Sequence, residues 1–235
     1  MPRILPILAF CILLTACRAH SSPPQSTKLS APHLGTREST NSKEATPGFP
    51  WSPTVTYSDP AHGVAFRYPA AFKPQIQFSY IPPLLAQSDT VRPIAGFSYS
   101  LGGFPRTSFN GLYSHTTLEG FGVVYTAFSS SSNNACQSTA ASIAQVEPGA
   151  RPLPPETING LAFAVYPTAQ AGMMKRLSGR IYAAFTQHTC YLVETGVGSV
   201  APGVAEGVDS LTPQQSKAIR AGLLRIVHSL LIAHR

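Results

Sequence analysis

The feature that most constrains the fold lies near the C-terminus. Thr212-Pro213-Gln214-Gln215 combines a hydroxyl that can cap a helix, proline at the first helical position and glutamine three residues after the cap. Together they form a capping-box start. Beyond it Ile219, Leu223, Ile226 and Leu230 recur at helical spacing, and Val227 and Leu231 widen the stripe. A helix apolar along one side must cover a hydrophobic face elsewhere in the chain, and a sheet is the natural partner.

The rest of the chain supplies strands for such a sheet. From Trp51 onward, alternation of period two dominates. Val64, Phe66 and Tyr68 alternate up to Pro69, and residues 76–81, 94–101 and 121–128 also read as extended. Ala135 to Val146 places Cys136, Ala140, Ile143 and Ala144 at helical spacing. Asn159-Gly160 marks a tight hairpin turn, because both residues tolerate positive φ, and Leu161 to Tyr166 is the strand that follows. Arg180–Phe185 and Cys190–Thr195 form another hairpin joined through Gln187 and His188. The expectation is an α+β domain over residues 51–235: an antiparallel sheet packed by the C-terminal amphipathic helix and by one middle helix.

The first fifty residues are of another kind. Arg3, an apolar run from Ile4 to Leu14 and small residues before Cys17 read as an export leader, and the run is shorter than the ~20 residues a membrane span needs. Leu14-Thr15-Ala16-Cys17 resembles the lipobox of bacterial lipoproteins. The resemblance implies removal of residues 1–16 as a lipoprotein signal peptide and lipidation of Cys17, with acyl chains as the membrane anchor. Residues 17–50 are rich in Ser, Thr and Pro and poor in large apolar side chains, which predicts a disordered tether. As a random coil it reaches on the order of 30 Å. Arg18 follows the cysteine where many diderm lipoproteins retained in the inner membrane carry Asp, so the resemblance favours an outer-membrane address in a diderm cell.

A second resemblance lies within the domain. Tyr57-Ser58-Asp59, His62-Gly63-Val64-Ala65-Phe66-Arg67-Tyr68-Pro69 and Phe72, with the late hairpin and the closing helix, are similar to small exported domains of the PsbP-like family. The resemblance implies an α/β/α sandwich and an accessory or binding role without a catalytic centre. It transfers no functional residue and does not extend to residues 76–157.

Chemistry-bearing motifs are sparse. Net charge is +7 from 17 basic and 10 acidic residues, spread without a nucleic-acid-binding tract. Lys175, Arg176 and Arg180 are the densest basic group. Cys136 and Cys190 are the domain's two cysteines, and export favours a disulfide between them. The alternatives are two free thiols, or metal ligation by His188 and Cys190, which lacks a second close-spaced pair. His62, His115, His188 and His228 stand singly, and no G-x-S-x-G elbow or H-E-x-x-H pair occurs. Paired carboxylates would have to come from Asp59, Asp89, Glu119, Glu147, Glu156 and Glu194. Core filling accounts for Met173-Met174, and strand propensity accounts for Tyr80, Tyr99, Tyr125 and Tyr182.

The sequence therefore assigns no catalytic, cofactor-binding or metal residue and no cofactor. It predicts a membrane-tethered envelope lipoprotein, attached to the membrane through its lipid anchor, that serves as a non-enzymatic module for an envelope protein partner or small ligand and not for nucleic acid. The alternative is an envelope hydrolase whose site residues are scattered along the chain.

Overall fold

A computed structural model describes residues 51–233 except 78, 102–112, 114, 146–151, 202 and 204–207. Residues 1–50, on which the expected leader, Cys17 and the expected tether fall, lie outside the described residues, as do Glu147 and His234. In chain order the elements are β1 (Thr54–Asp59), β2 (Val64–Pro69), β3 (Lys73–Pro74), a single helical turn α1 (Leu84–Gln87), β4 (Ala95–Ser100), β5 (Leu118–Ser129), α2 (Asn133–Ile143), β6 (Leu153–Ile158), β7 (Leu161–Gly172), β8 (Lys175–Thr186), β9 (Thr189–Val200), α3 (Pro213–His228) and β10 (Leu231–Ile232). The architecture is α+β. Seven strands form one antiparallel sheet in the order β3-β4-β5-β9-β8-β7-β6, and β1-β2-β10 form a second, three-stranded sheet.

Local chemistry explains the most regular parts. The Thr212 hydroxyl accepts the Gln215 N–H at 3.1 Å, and the Gln215 side chain accepts the Thr212 N–H at 2.9 Å, closing the expected box at the start of α3. The helix stops at His228, short of Leu231. Ser229 ends it by accepting the Arg67 N–H at 2.8 Å through its hydroxyl, and the chain then turns into β10, where Leu231 pairs with Ala65. Leu231 is consequently 57% exposed and not part of the helix stripe. Helix α2 begins two residues before the expected Ala135, because the Ser132 hydroxyl caps it by accepting the Ala135 N–H.

Alternation along the long strands gives the seven-stranded sheet two unlike faces. On the first face Phe97, Phe121, Val123, Tyr125, Phe163, Val165, Tyr182, Tyr191 and Val193 meet Ile219, Leu223, Ile226 and Val227 of α3 and Val64 and Phe66 of β2. Trp51 lies against Gly222 of α3, where any Cβ would collide with the indole, and 6.1 Å from Phe121 between ring centres. On the second face Val124, Tyr166, Leu177, Ile181, Ala183 and Leu192 meet Cys136, Ala140 and Ile143 of α2 and Leu84 and Leu85 of α1. Cys136 and Cys190 form a disulfide that ties α2 to β9.

The extended segment expected over residues 76–81 forms no strand in the described structure. It crosses the second face as a strap. A Cβ on Gly96 would stand 2.6 Å from the Ile76 Cα, and one on Gly198 would collide with the Ser79 side chain. Glycine lets the strap approach the sheet where a side chain would hold it off. The Gln75 amide donates to the Ser98 hydroxyl at 2.6 Å along the same path.

Candidate functional site

The second face holds the strap with a buried acid. Glu194 of β9 is fully buried, and its carboxylate accepts the Leu84 N–H at 2.9 Å and the Leu85 N–H at 2.8 Å. Burial pushes its carboxyl up to about 7, against the lowering effect of those two N–H groups. The role is structural, because both oxygens serve the first turn of α1.

Three other described acids, Asp59, Glu119 and Glu156, are each engaged separately. Asp59 lies 2.7 Å from His62 Nδ1, accepts the Ala61 N–H at the β1–β2 turn and is within 3.4 Å of the Tyr125 hydroxyl. Burial first, and the Asp59 charge second, raise the ionisation of Tyr125 far above its usual range. Glu119 meets Lys175 Nζ at 2.9 Å, and Glu156 lies between Arg180 at 3.2 Å and His228 at 3.4 Å. None of these contacts pairs two carboxylates in the manner of a glycosidase. Among the described residues no group of three His, Cys, Asp or Glu side chains converges on a metal-sized space. Cys190 is in the disulfide, and His188 occupies the β8–β9 turn with its ring against Phe185, so the two do not form a ligand pair.

A cavity of ≈ 130 Å³ opens on the first face, between β8, β9 and α3. Its floor is made by Ser178, Arg180 and Tyr182 of β8 with Thr195 and Val197 of β9, and its wall by Arg220, Leu223 and Leu224 of α3. Strand alternation forces the placement: Arg180 shares the face of Tyr182 and Ala184, so a cation stands where the neighbouring positions are core. Glu156 of β6 steadies the Arg180 guanidinium, and Arg180 shares its sheet face with Tyr182 two residues on. Tyr182 is 2% exposed, and burial raises its ionisation while Arg180 opposes the rise, so the phenol is protonated at neutral pH. Arg220 donates to the Ser178 hydroxyl at 3.3 Å across the mouth. Two guanidinium groups and three hydroxyls thus converge, and neither a carboxylate nor an imidazole lines the space among the described residues.

Sequence reasoning missed this arrangement. Its signal is present in β8, where Ser178 and Arg180 precede Tyr182 and Ala184 on the face that turns toward α3. The four tyrosines considered together do not share a surface. Tyr125 and Tyr182 are buried, Tyr99 stacks on Phe121, and Tyr80 is exposed. Met173 and Met174, expected in the core, are 84% and 66% exposed. They are the two residues of the β7–β8 turn, and a two-residue hairpin turn points away from both sheet faces.

No protein-family model matches the chain, and no curated protein matches it. Solved structures are similar to it at low identity. A protein from Bacteroides thetaiotaomicron is matched at 10% identity and TM-score 0.38 over 77% of this chain and 48% of its own, so the chain spans about half of that protein's length. Cyanobacterial PsbP from Synechocystis sp. PCC 6803 is matched at 8% identity and TM-score 0.36, over 85% of this chain and 99% of that one. LpqN of Mycobacterium tuberculosis, described as involved in cell envelope biogenesis, is matched at 10% identity and TM-score 0.40, over 77% and 90%. No helix among the described residues is long and apolar enough to cross a membrane.

Proposed function

We propose that this chain is a bacterial envelope lipoprotein, cut before Cys17 and held by lipid on that residue, whose residues 51–235 act at the end of a 17–50 tether as a binding module for a small oxyanion. The convergence of Arg180 and Arg220 on one hydroxyl-lined cavity carries the binding reading. Guanidinium groups match carboxylate and phosphate oxygens in charge and in planar geometry, and hydroxyls supply neutral donors beside them. Glu156 offsets one of the two positive charges from outside the lining and fixes the Arg180 fork without filling the space. Hydrolysis would need an activated nucleophile, and the hydroxyls of Ser178, Tyr182 and Thr195 have no general base among the lining residues.

Backbone amide spectra of the isotope-labelled full chain, titrated with inorganic phosphate and separately with acetate, test the reading. The expected result is saturable shifts at residues 178–182, 195–197 and 220–224 with at least one of these anions. Arg220→Ala should weaken binding by roughly tenfold to a hundredfold, the range for one hydrogen bond to a charged group. Arg220 is exposed, so its loss leaves the core intact. If neither anion moves those resonances, or if Arg220→Ala binds as the parent does, the oxyanion assignment is wrong. Mass analysis of the exported protein tests the anchor independently: a diacylglycerol-bearing Cys17 at the new N-terminus is expected, and an unmodified Cys17 overturns that part.

A further inference from the structure

Three tight turns join the long strands β6 to β9, and their residues all adopt positive φ: Asn159 and Gly160 at 48° and 84°, Met173 and Met174 at 47° and 63°, Gln187 and His188 at 50° and 60°. The first uses the residues that this geometry favours. The second places two unbranched apolar side chains in a conformation that costs any residue with a Cβ, and exposes both more than any other large apolar side chain described. Nothing in the hairpin requires methionine there. Strain that coincides with exposure of two large apolar side chains points to a role outside the fold.

The surroundings define what that is. Tyr80 is the next most exposed large apolar side chain at 63%, and Lys175 Nζ lies 3.8 Å above its ring, so three side chains of this kind gather at one end of the sheet. Lys175 is neutralised by Glu119, whereas Arg176 is exposed and pairs with no described residue. The tip is therefore an apolar prong with an aromatic ring and a guanidinium unpaired among the described residues behind it. Thioether chains that can enter acyl tails, an amphipathic ring at headgroup depth and a cation for anionic headgroups are the components of a bilayer-contacting segment. We infer that the Met173-Met174 hairpin tip dips into a membrane surface bearing anionic lipid and holds the domain in one orientation on it. The inference rests on the proposed lipid anchor only for bringing the domain near a bilayer. At ~3.3 Å per residue along β8, Ser178 and Arg180 would stand roughly 13–20 Å from Met174 at the tip, which leaves the oxyanion cavity clear of the tails.

The chain provides its own probe. Its three methionines are Met1, Met173 and Met174, so after leader removal the tip holds every remaining methionine. The lipidated full-length protein is reconstituted in vesicles of phosphatidylcholine alone, or of phosphatidylcholine with phosphatidylglycerol, and its methionine oxidation by dilute peroxide is followed by mass spectrometry. Oxidation is expected to be slower by about fivefold on the anionic vesicles than on the neutral ones, the factor for one basic residue facing anionic lipid. Arg176→Glu should remove that difference. Met173→Asn/Met174→Gly, which installs the residues of the β6–β7 turn, should leave thermal melting no lower while the domain loses its fixed orientation, read as loss of anionic-lipid-dependent protection of Tyr80 from radical labelling.

Equal oxidation on both vesicles and in detergent would overturn the inference. Protection in intact cells with none on either vesicle would also overturn it, and would give the tip to a protein partner. Cys17→Ser separates the two readings: if the lipidated chain floats with vesicles and the variant does not, the anchor stands whatever the methionines show.

Discussion

The two faces of the seven-stranded sheet are closed by different means. The first is covered by α3 and the small sheet through large side chains: Phe121 stacks near Tyr99, Phe72 and Trp51, and Tyr57, Phe66, Tyr68 and Phe97 form a second aromatic group. The second is covered by α2 and by the strap, and its sheet side is stripped of side chains at Gly96 and Gly198 so that backbone can lie close. There the disulfide and a buried carboxylate do what ring packing does opposite. Aromatic bulk holds one face, and smaller apolar side chains with covalent and polar ties hold the other. Loss of a ring should therefore act globally, whereas loss of a tie should loosen α2 or the strap first.

Phe121→Ala tests the first half with the largest expected effect. The ring is fully buried, and truncation of a core phenylalanine costs ~3–5 kcal/mol. Denaturant unfolding should show that loss in one cooperative transition. A separate early transition confined to α2 would break the contrast. Replacing Cys136 and Cys190 together by serine is the matching test on the second face. With a sequence separation of 54 between them, the chain-entropy account gives a loss of ~4 kcal/mol. Hydrogen exchange should then rise first in α2, ahead of α3.

The difference between the faces also explains what could be read in advance. The terminal helix is legible because its cap, its proline and its stripe are all local, and so are the turns at Asn159-Gly160 and Gln187-His188. The strap is not. Ile76 to Ile81 carries an apolar pattern suited to a strand, and what flattens it onto the sheet is the absence of side chains on Gly96 and Gly198, far away in the chain. Glu194 reads as a candidate catalytic acid for a similar reason, since its partners are backbone N–H groups that no side-chain motif announces. The oxyanion cavity depends on Arg180 and Arg220 meeting across a strand and a helix, and pattern within either element shows only half of it. The methionine pair is misplaced when hydrophobicity is weighed without the two-residue turn that expels it.

Glu194 gives the next largest effect, and it is a pH dependence. Its carboxyl titrates at about 7 in the folded chain and at 4.5 by reference. The folded state therefore binds the proton more tightly, and this contribution to stability is complete below about 4.5 and is lost as pH rises through about 7. A shift of that size corresponds to roughly 3 kcal/mol. Glu194→Gln, which does not titrate, should flatten the decline between those pH values, as measured by urea unfolding of both proteins. If both curves fall in parallel, the carboxylate is solvated and the strap is held by something else.

The smallest effect tests the close approach itself. Gly198→Ala places a methyl against the Ser79 side chain, with the Ser79 Cα 3.5 Å away at ordinary contact distance. Overpacking of this kind costs ~1–3 kcal/mol. Ser79→Gly removes the colliding Cβ and hydroxyl, and also the hydrogen bond from that hydroxyl to the Ile81 carbonyl at 2.6 Å, so alone it should destabilise by ~1 kcal/mol. Combined, the two changes should cost less than the sum of their separate effects, because the methyl added by Gly198→Ala then occupies the space that the Ser79 side chain vacates. Additive losses in that double-mutant cycle would mean that the strap does not rest on Gly198, and the backbone-to-sheet packing that distinguishes the second face would have to be given up.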